Sequence, residues 1–170
     1  MDDVVIAIKK GLFEAINAEN QGFHFYSMAV NSTEDAKGKE MFAKLANDEL
    51  EHLRYLRKQL KAFDKSGRPE PGLMLGKLKR YSDSSPIFSP EIKARIGNAH
   101  VEMTVLSIGI QLEKNAIEFY RKNSEKTENP FVKQFYAELA DWEAEHYRIL
   151  NLQFDELKED YWHKADFAPF

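Results

Sequence analysis

No cysteine occurs among the 170 residues. Disulfides, zinc–thiolate sites, iron–sulfur clusters and thiol nucleophiles are therefore excluded within them, while the redox compartment stays open. Long apolar runs are also missing: no stretch approaches the roughly 18 consecutive apolar residues of a membrane span. The start, Met1-Asp2-Asp3 and then an amphipathic stretch with Lys9 and Lys10, lacks the uniform apolar run of a signal peptide. A soluble, cytoplasmic chain with no membrane partner is the expectation. Basic charge is not in excess either. Lys and Arg number 24 against 28 Asp and Glu, a net charge of -4, which argues against nucleic acid and against a strongly acidic cation-binding surface. No segment carries the alternation of a strand.

What is present is helical periodicity. Four long segments place apolar residues at steps of three and four. The first covers about 4–30. The second covers about 35–63, with Ser32 or Thr33 as the expected N-cap. The third covers about 99–124, with Ser89-Pro90 offering an earlier start as N-cap and first-turn proline. The fourth begins at Asn129-Pro130 by the same logic and runs to about Tyr161. The links between the first and second and between the third and fourth are short, which favours antiparallel neighbours. Residues 64–98 open with Lys65-Ser66-Gly67-Arg68-Pro69-Glu70-Pro71-Gly72, rich in helix breakers, and read as a crossover. The expected architecture is all-α, a single four-helix bundle over 1–170. Two separate helical hairpins are the alternative, but each would leave its apolar stripe uncovered.

The two halves repeat with a shift of 94 positions. Leu12 falls on Leu106, Ile16 on Ile110, Glu19 on Glu113, and Phe25-Tyr26 on Phe119-Tyr120. Leu45-Ala46 falls on Leu139-Ala140, Glu49 on Glu143, His52 on His146, and Leu56 on Leu150. A bundle of two like hairpins with approximate two-fold symmetry follows.

Six polar residues interrupt the inward stripes. Glu19 follows Leu12 and Ala15 in the first helix, and Glu113 follows Leu106 and Ile110 in the third. Glu49 and His52 sit between Leu45 and Leu56, and Glu143 and His146 between Leu139 and Leu150. Each takes a step that a bundle core fills with apolar side chains. Burying an ionised carboxylate without a partner costs several kcal/mol, and four together repel one another. No Lys or Arg lies on the stripes at that level, so divalent cations are the simplest compensation. Glu and His three apart project from one helix face on successive turns. A Glu from each of two helices plus Glu-x-x-His from the other two is a di-metal pattern of bundle cores. One Glu-x-x-His is a weak signal. Two, each 30 residues after a stripe Glu, are a strong one. A buried Glu–His network without metal is the alternative.

The constellation resembles the ferritin-like di-iron carboxylate superfamily, and is most similar to the erythrin domain of the rubrerythrins. Glu19-Asn-Gln-Gly-Phe-His-Phe-Tyr26 resembles the first-helix box of that family. The resemblance implies two irons, one served by Glu19 and His52, the other by Glu113 and His146, with Glu49 and Glu143 bridging both. It further implies that Tyr26 and Tyr120 donate hydrogen bonds to carboxylates, and that Asp48 orients a histidine from another helix. Amphipathic packing for the tyrosines and a solvated charge for Asp48 are the plainer readings. Two features depart from the family. There is no cysteine-rich rubredoxin module within these residues, and Ala116 stands where the family places an extra Glu, which bears on any peroxidase cycle relying on that Glu. Gly22 and Ala116, both small, leave room beside the metals for dioxygen or peroxide, or else let the helices pack closely. Glu51, Glu118 and Glu145 read as solvated, and His24, His100 and His163 carry no role. The aromatic tail, Tyr161-Trp162 and Phe167 to Phe170, packs on a partner chain or covers its own bundle end.

Carboxylate-rich ligation with few imidazoles suits iron or manganese and disfavours copper. The first functional expectation is a di-iron oxidoreductase that reduces peroxide or dioxygen with electrons from an external carrier. The second is a ferroxidase, an iron store or a manganese catalase-like protein. The third is a helical interaction module with a structural metal site. A homo-oligomer, simplest as a dimer, is the expected assembly.

Overall fold

The structure, a computed structural model, describes residues 3–82, 87–94 and 100–164. Five helices occur among them: α1 (Asp3–Ser32), α2 (Ala36–Ser66), α3 (Pro90–Ala94), α4 (His100–Lys126) and α5 (Pro130–Lys164). The described residues contain no strand, and none of their helices is long and apolar enough to cross a membrane. The fold is an all-α, ferritin-like bundle.

Turn chemistry sets the helix ends. The cap of α2 is Asp35, not Ser32 or Thr33 as expected. Its carboxylate accepts the Gly38 amide at 2.8 Å, while Ser32 completes α1. Aspartate at an N-cap satisfies one of the amides that the first turn leaves unpaired. Thr33 is buried and donates instead to Glu102 on α4 at 3.3 Å. Helix α2 stops at Gly67, whose φ of 66° is a left-handed conformation that glycine adopts without a Cβ clash. Asn129 caps α5 as expected, accepting the Phe131 and Val132 amides at 3.1 and 3.2 Å. Ser89-Pro90 does start a helix, but it is the short α3. The third stripe helix begins at His100 among the described residues, the expected Ala99 lying outside them. Tyr161 and Trp162 fall in the last turn of α5, but their side chains and that of His163, together with Phe167 to Phe170, lie outside the described part of the structure.

Helix α1 packs along α2, α4 along α5, and α1 also meets α4. Two buried apolar clusters fill the core. One gathers Tyr26, Phe42, Leu45, Leu106 and Leu150. The other gathers Leu12, Leu56, Tyr120, Tyr136 and Leu139. Along α1 the chain passes from the second cluster to the first, and along α2 it returns. Along α4 it runs from the first to the second, and α5 reverses that. The hairpins are therefore antiparallel, and the chain must travel the bundle's length between α2 and α4. Leu75 lies in the second cluster, Tyr81 packs against the first, and Ile87, Phe88 and Ile92 lie within the first.

Polar side chains, most of them buried, pin this crossover. Gln59 Oε1 accepts the Glu70 amide at 3.0 Å, and Gln153 Oε1 accepts that of Ile87 at 2.5 Å. Glu145 accepts the Tyr81 amide at 2.7 Å, Arg148 donates to the Tyr81 carbonyl at 2.6 Å, and Asp35 accepts from Ser89. Glu145 is thus buried and holds the crossover, correcting its reading as a solvated charge. Glu118 is exposed as expected.

Candidate metal centre

Between the two apolar clusters each long helix contributes its stripe residues to one level. Glu19, Glu49, His52, Glu113, Glu143 and His146 are all at most 3 % exposed. Each histidine turns Nδ1 into the group. His52 Nδ1 lies 2.9 Å from Glu19 Oε2, 3.3 Å from Glu143 Oε1 and 3.6 Å from Glu49 Oε2. His146 Nδ1 lies 3.3 Å from Glu49 Oε1, 3.4 Å from Glu143 Oε2 and 3.7 Å from Glu113 Oε1. Glu49 and Glu143 therefore each present one oxygen to either half. Two overlapping ligand sets result, Glu19–Glu49–His52–Glu143 and Glu49–Glu113–Glu143–His146. Within each, one donor atom per residue lies within 4.8 Å of all the others.

Charge in this buried cluster is poorly balanced by the side chains alone. Burial, then the neighbouring Glu143 carboxylate, holds Glu19 and Glu113 well above the usual carboxylate range. Burial also opposes charge on Glu49 and Glu143, but the two imidazoles outweigh it and bring both below that range. Burial would depress the histidines, yet the surrounding carboxylates raise both well above their ordinary value. Without a cation, protons must supply the missing positive charge. Several buried atoms still lack a hydrogen bond: His52 Nε2, Glu143 Oε1, and both ring nitrogens of His146. Buried polar atoms are ordinarily paired. Four carboxylates and two imidazoles converging with unmet bonding capacity form a donor set that fits divalent metal.

The surrounding residues brace this set. Tyr26 donates to Glu113 Oε1 and Tyr120 to Glu19 Oε1, each reaching across to the other hairpin. Asp48 is buried, so the solvated reading does not apply. Its Oδ2 lies 3.6 Å from His146 Nε2. Burial works against its charge, but His146, Lys79 and Tyr81 outweigh that and hold the carboxyl at about 2. Lys79 Nζ lies 2.5 Å from Asp48 Oδ1, and Tyr81 donates its hydroxyl to Oδ2 at 2.6 Å. Glu51, half-exposed, shares Lys79 at 3.0 Å. Lys79 and Tyr81 escaped the sequence reading because a crossover has no periodicity to mark them. Trp142, whose ring centroid lies 5.1 Å from that of His52, was also missed, although the repeat pairs it with Asp48.

An open cavity of about 240 Å³ reaches the carboxylates between α1 and α4. Gly22, Ala116, Ala18 and Phe119 line it together with Glu19, Glu49, Glu113 and Glu143. Both small residues thus border open space. At Gly22 a Cβ would also come within 3.1 Å of Glu49 Cδ.

Fold and site together define a ferritin-like helical bundle with a buried carboxylate–histidine cluster able to bind metal. The chain matches the Rubrerythrin family over residues 10–154 and again over 104–168, and it belongs to that family. The two matches begin 94 positions apart, the offset of the internal repeat. No curated protein and no solved structure matches the chain.

Proposed function

We propose that the protein is a di-iron oxidoreductase that reduces peroxide or dioxygen with electrons from a separate carrier. The observation that carries this reading is the pair of overlapping ligand sets sharing Glu49 and Glu143, open to a small cavity. Glu19 and His52 would hold one ion, Glu113 and His146 the other, with the shared glutamates between them. Two bound irons supply the two electrons that one peroxide takes up. The chain's own part is placement and exclusion of water. The apolar clusters seal the core on either side of the ligand level. Tyr26 and Tyr120 fix the orientation of Glu113 and Glu19. Burial first, and then the adjacent carboxylates, raise both phenols well above their ordinary pKa, so they stay protonated as donors. The cavity gives a small oxidant access beside the carboxylates. In this reading the electrons come from a separate carrier, since these residues hold no cysteine for an iron–sulfur donor.

The test is anaerobic titration of reduced, iron-loaded protein with hydrogen peroxide, followed by visible absorbance. Oxidation of two irons per peroxide consumed, reversed by added reductant, supports the proposal. Iron that peroxide leaves unoxidised contradicts it.

A further inference from the structure

The internal repeat is nearly symmetric at the six candidate ligands but not beside them. The position just before each shared glutamate is Asp48 in one half and Trp142 in the other. The two-fold arrangement sets each against the histidine of the opposite hairpin, Asp48 against His146 and Trp142 against His52. Both imidazoles turn Nδ1 inward, which leaves Nε2 to be held from outside. His146 Nε2 faces the carboxylate of Asp48, itself clamped by Lys79 and Tyr81. His52 Nε2 is buried in an imidazole packed edge-on against the Trp142 ring. Neither Nε2 has a partner at hydrogen-bond distance, so the contrast is between a carboxylate 3.6 Å away on one side and an indole ring on the other. A carboxylate on the outer nitrogen of a metal-bound imidazole fixes its tautomer and orientation and raises its basicity, worth about 10–100-fold in metal affinity.

We infer that the two metal positions are unequal, the one at His146 filling first because Asp48, fixed by Lys79 and Tyr81 of the crossover, holds that histidine while Trp142 leaves His52 unheld. The inference rests on the two-metal reading and adds an order of loading to it. It also gives the crossover a role: Lys79 and Tyr81 fix the carboxylate that faces His146, while Lys79 meets the His52 side only through the face of the Trp142 ring, 5.7 Å from its centroid.

Two ions sharing carboxylates repel each other, so a stepwise titration would arise even from equal positions. Location must be read directly. The full-length chain, stripped of metal, is crystallised with one equivalent of Co²⁺, and anomalous scattering measures occupancy at each position. The expected result is density concentrated beside His146. In solution, Asp48→Ala should weaken the first equivalent of Co²⁺ by about 10–100-fold and change its visible d–d spectrum, with helicity by circular dichroism retained. Asp48→Asn, which keeps an acceptor for Nε2–H, should restore part of the affinity. Equal density at both positions, or density favouring His52, overturns the inequality and leaves the two-metal reading standing. So does an Asp48→Ala variant that folds and binds its first Co²⁺ unchanged. No Co²⁺ at either position overturns both readings.

Discussion

Tyr26 on α1 donates its buried hydroxyl to Glu113 on α4, across the hairpin boundary and not to Glu19 on its own helix. Tyr120 repeats the relationship with Glu19. The two halves thus exchange hydrogen bonds at the ligand level, which ties the orientation of each outer carboxylate to the opposite hairpin. Removing one partner of a buried hydrogen bond strands the other at about 1–3 kcal/mol. Tyr26→Phe should lower the stability of the metal-free protein by that amount, and Tyr26→Phe with Tyr120→Phe by more. Denaturant unfolding of the stripped protein measures it. An unchanged midpoint for the double variant would show that the hydroxyls do not brace the cluster.

The α2 cap makes a pH-dependent contribution. Burial opposes charge on Asp35, but the Ser89 hydroxyl and the backbone amides of Gly38, Ser89 and Lys37 prevail and lower its pKa. A carboxyl whose folded pKa lies below its unfolded one stabilises fully above the unfolded value, and the stabilisation is lost as pH falls through the folded value. Asp35→Ala should cost about 0.5–2 kcal/mol at neutral pH. The gap from wild type should shrink on acidification into and below the normal aspartate range. Urea unfolding at a series of pH values checks both.

The crossover hangs on few buried amides. Gln153→Leu, close in volume, would remove the acceptor of the Ile87 N–H and leave a buried donor unpaired. A loss of about 1–3 kcal/mol is expected, with earlier protection loss by hydrogen exchange around 87–92 than in α2. Uniform exchange across the molecule would contradict a local anchoring role.

The cavity predicts a separation between binding and access. Ala116→Leu projects into open space beside the carboxylates. It should keep the metal stoichiometry while slowing oxidation by peroxide. Gly22→Ala acts differently, because its new Cβ would press on Glu49 and should weaken metal uptake. Metal analysis and stopped-flow absorbance on both variants distinguish the two effects.

The stripes were legible because burying one face imposes a period, and Glu19, Glu49, His52, Glu113, Glu143 and His146 broke it at one level. Tyr26 and Tyr120 were legible on the same ground, two turns from a glutamate. Their cross-hairpin pairing was not, since it depends on how α1 and α4 face each other. Lys79 and Tyr81 lie where the chain has no period, so only the three-dimensional path brings them to Asp48. Glu145 looked solvated because it stands off the stripe, and its partners come from that same crossover. The α2 cap was misplaced by three residues or fewer because Ser32, Thr33 and Asp35 are all competent caps. Asp35 takes the role by also accepting from Ser89, which lies 54 residues away and leaves no local trace.

The central claim is that six side chains hold two irons, and metal content tests it most directly. Protein purified without added metal is assayed by elemental analysis beside the double variant Glu49→Ala/Glu143→Ala. The account predicts close to two irons per chain, lost when both shared glutamates are removed. Two manganese ions would keep the centre and redirect the chemistry. Unchanged metal content in a folded double variant, or a wild type that holds no metal and takes none up on reconstitution, would contradict the account.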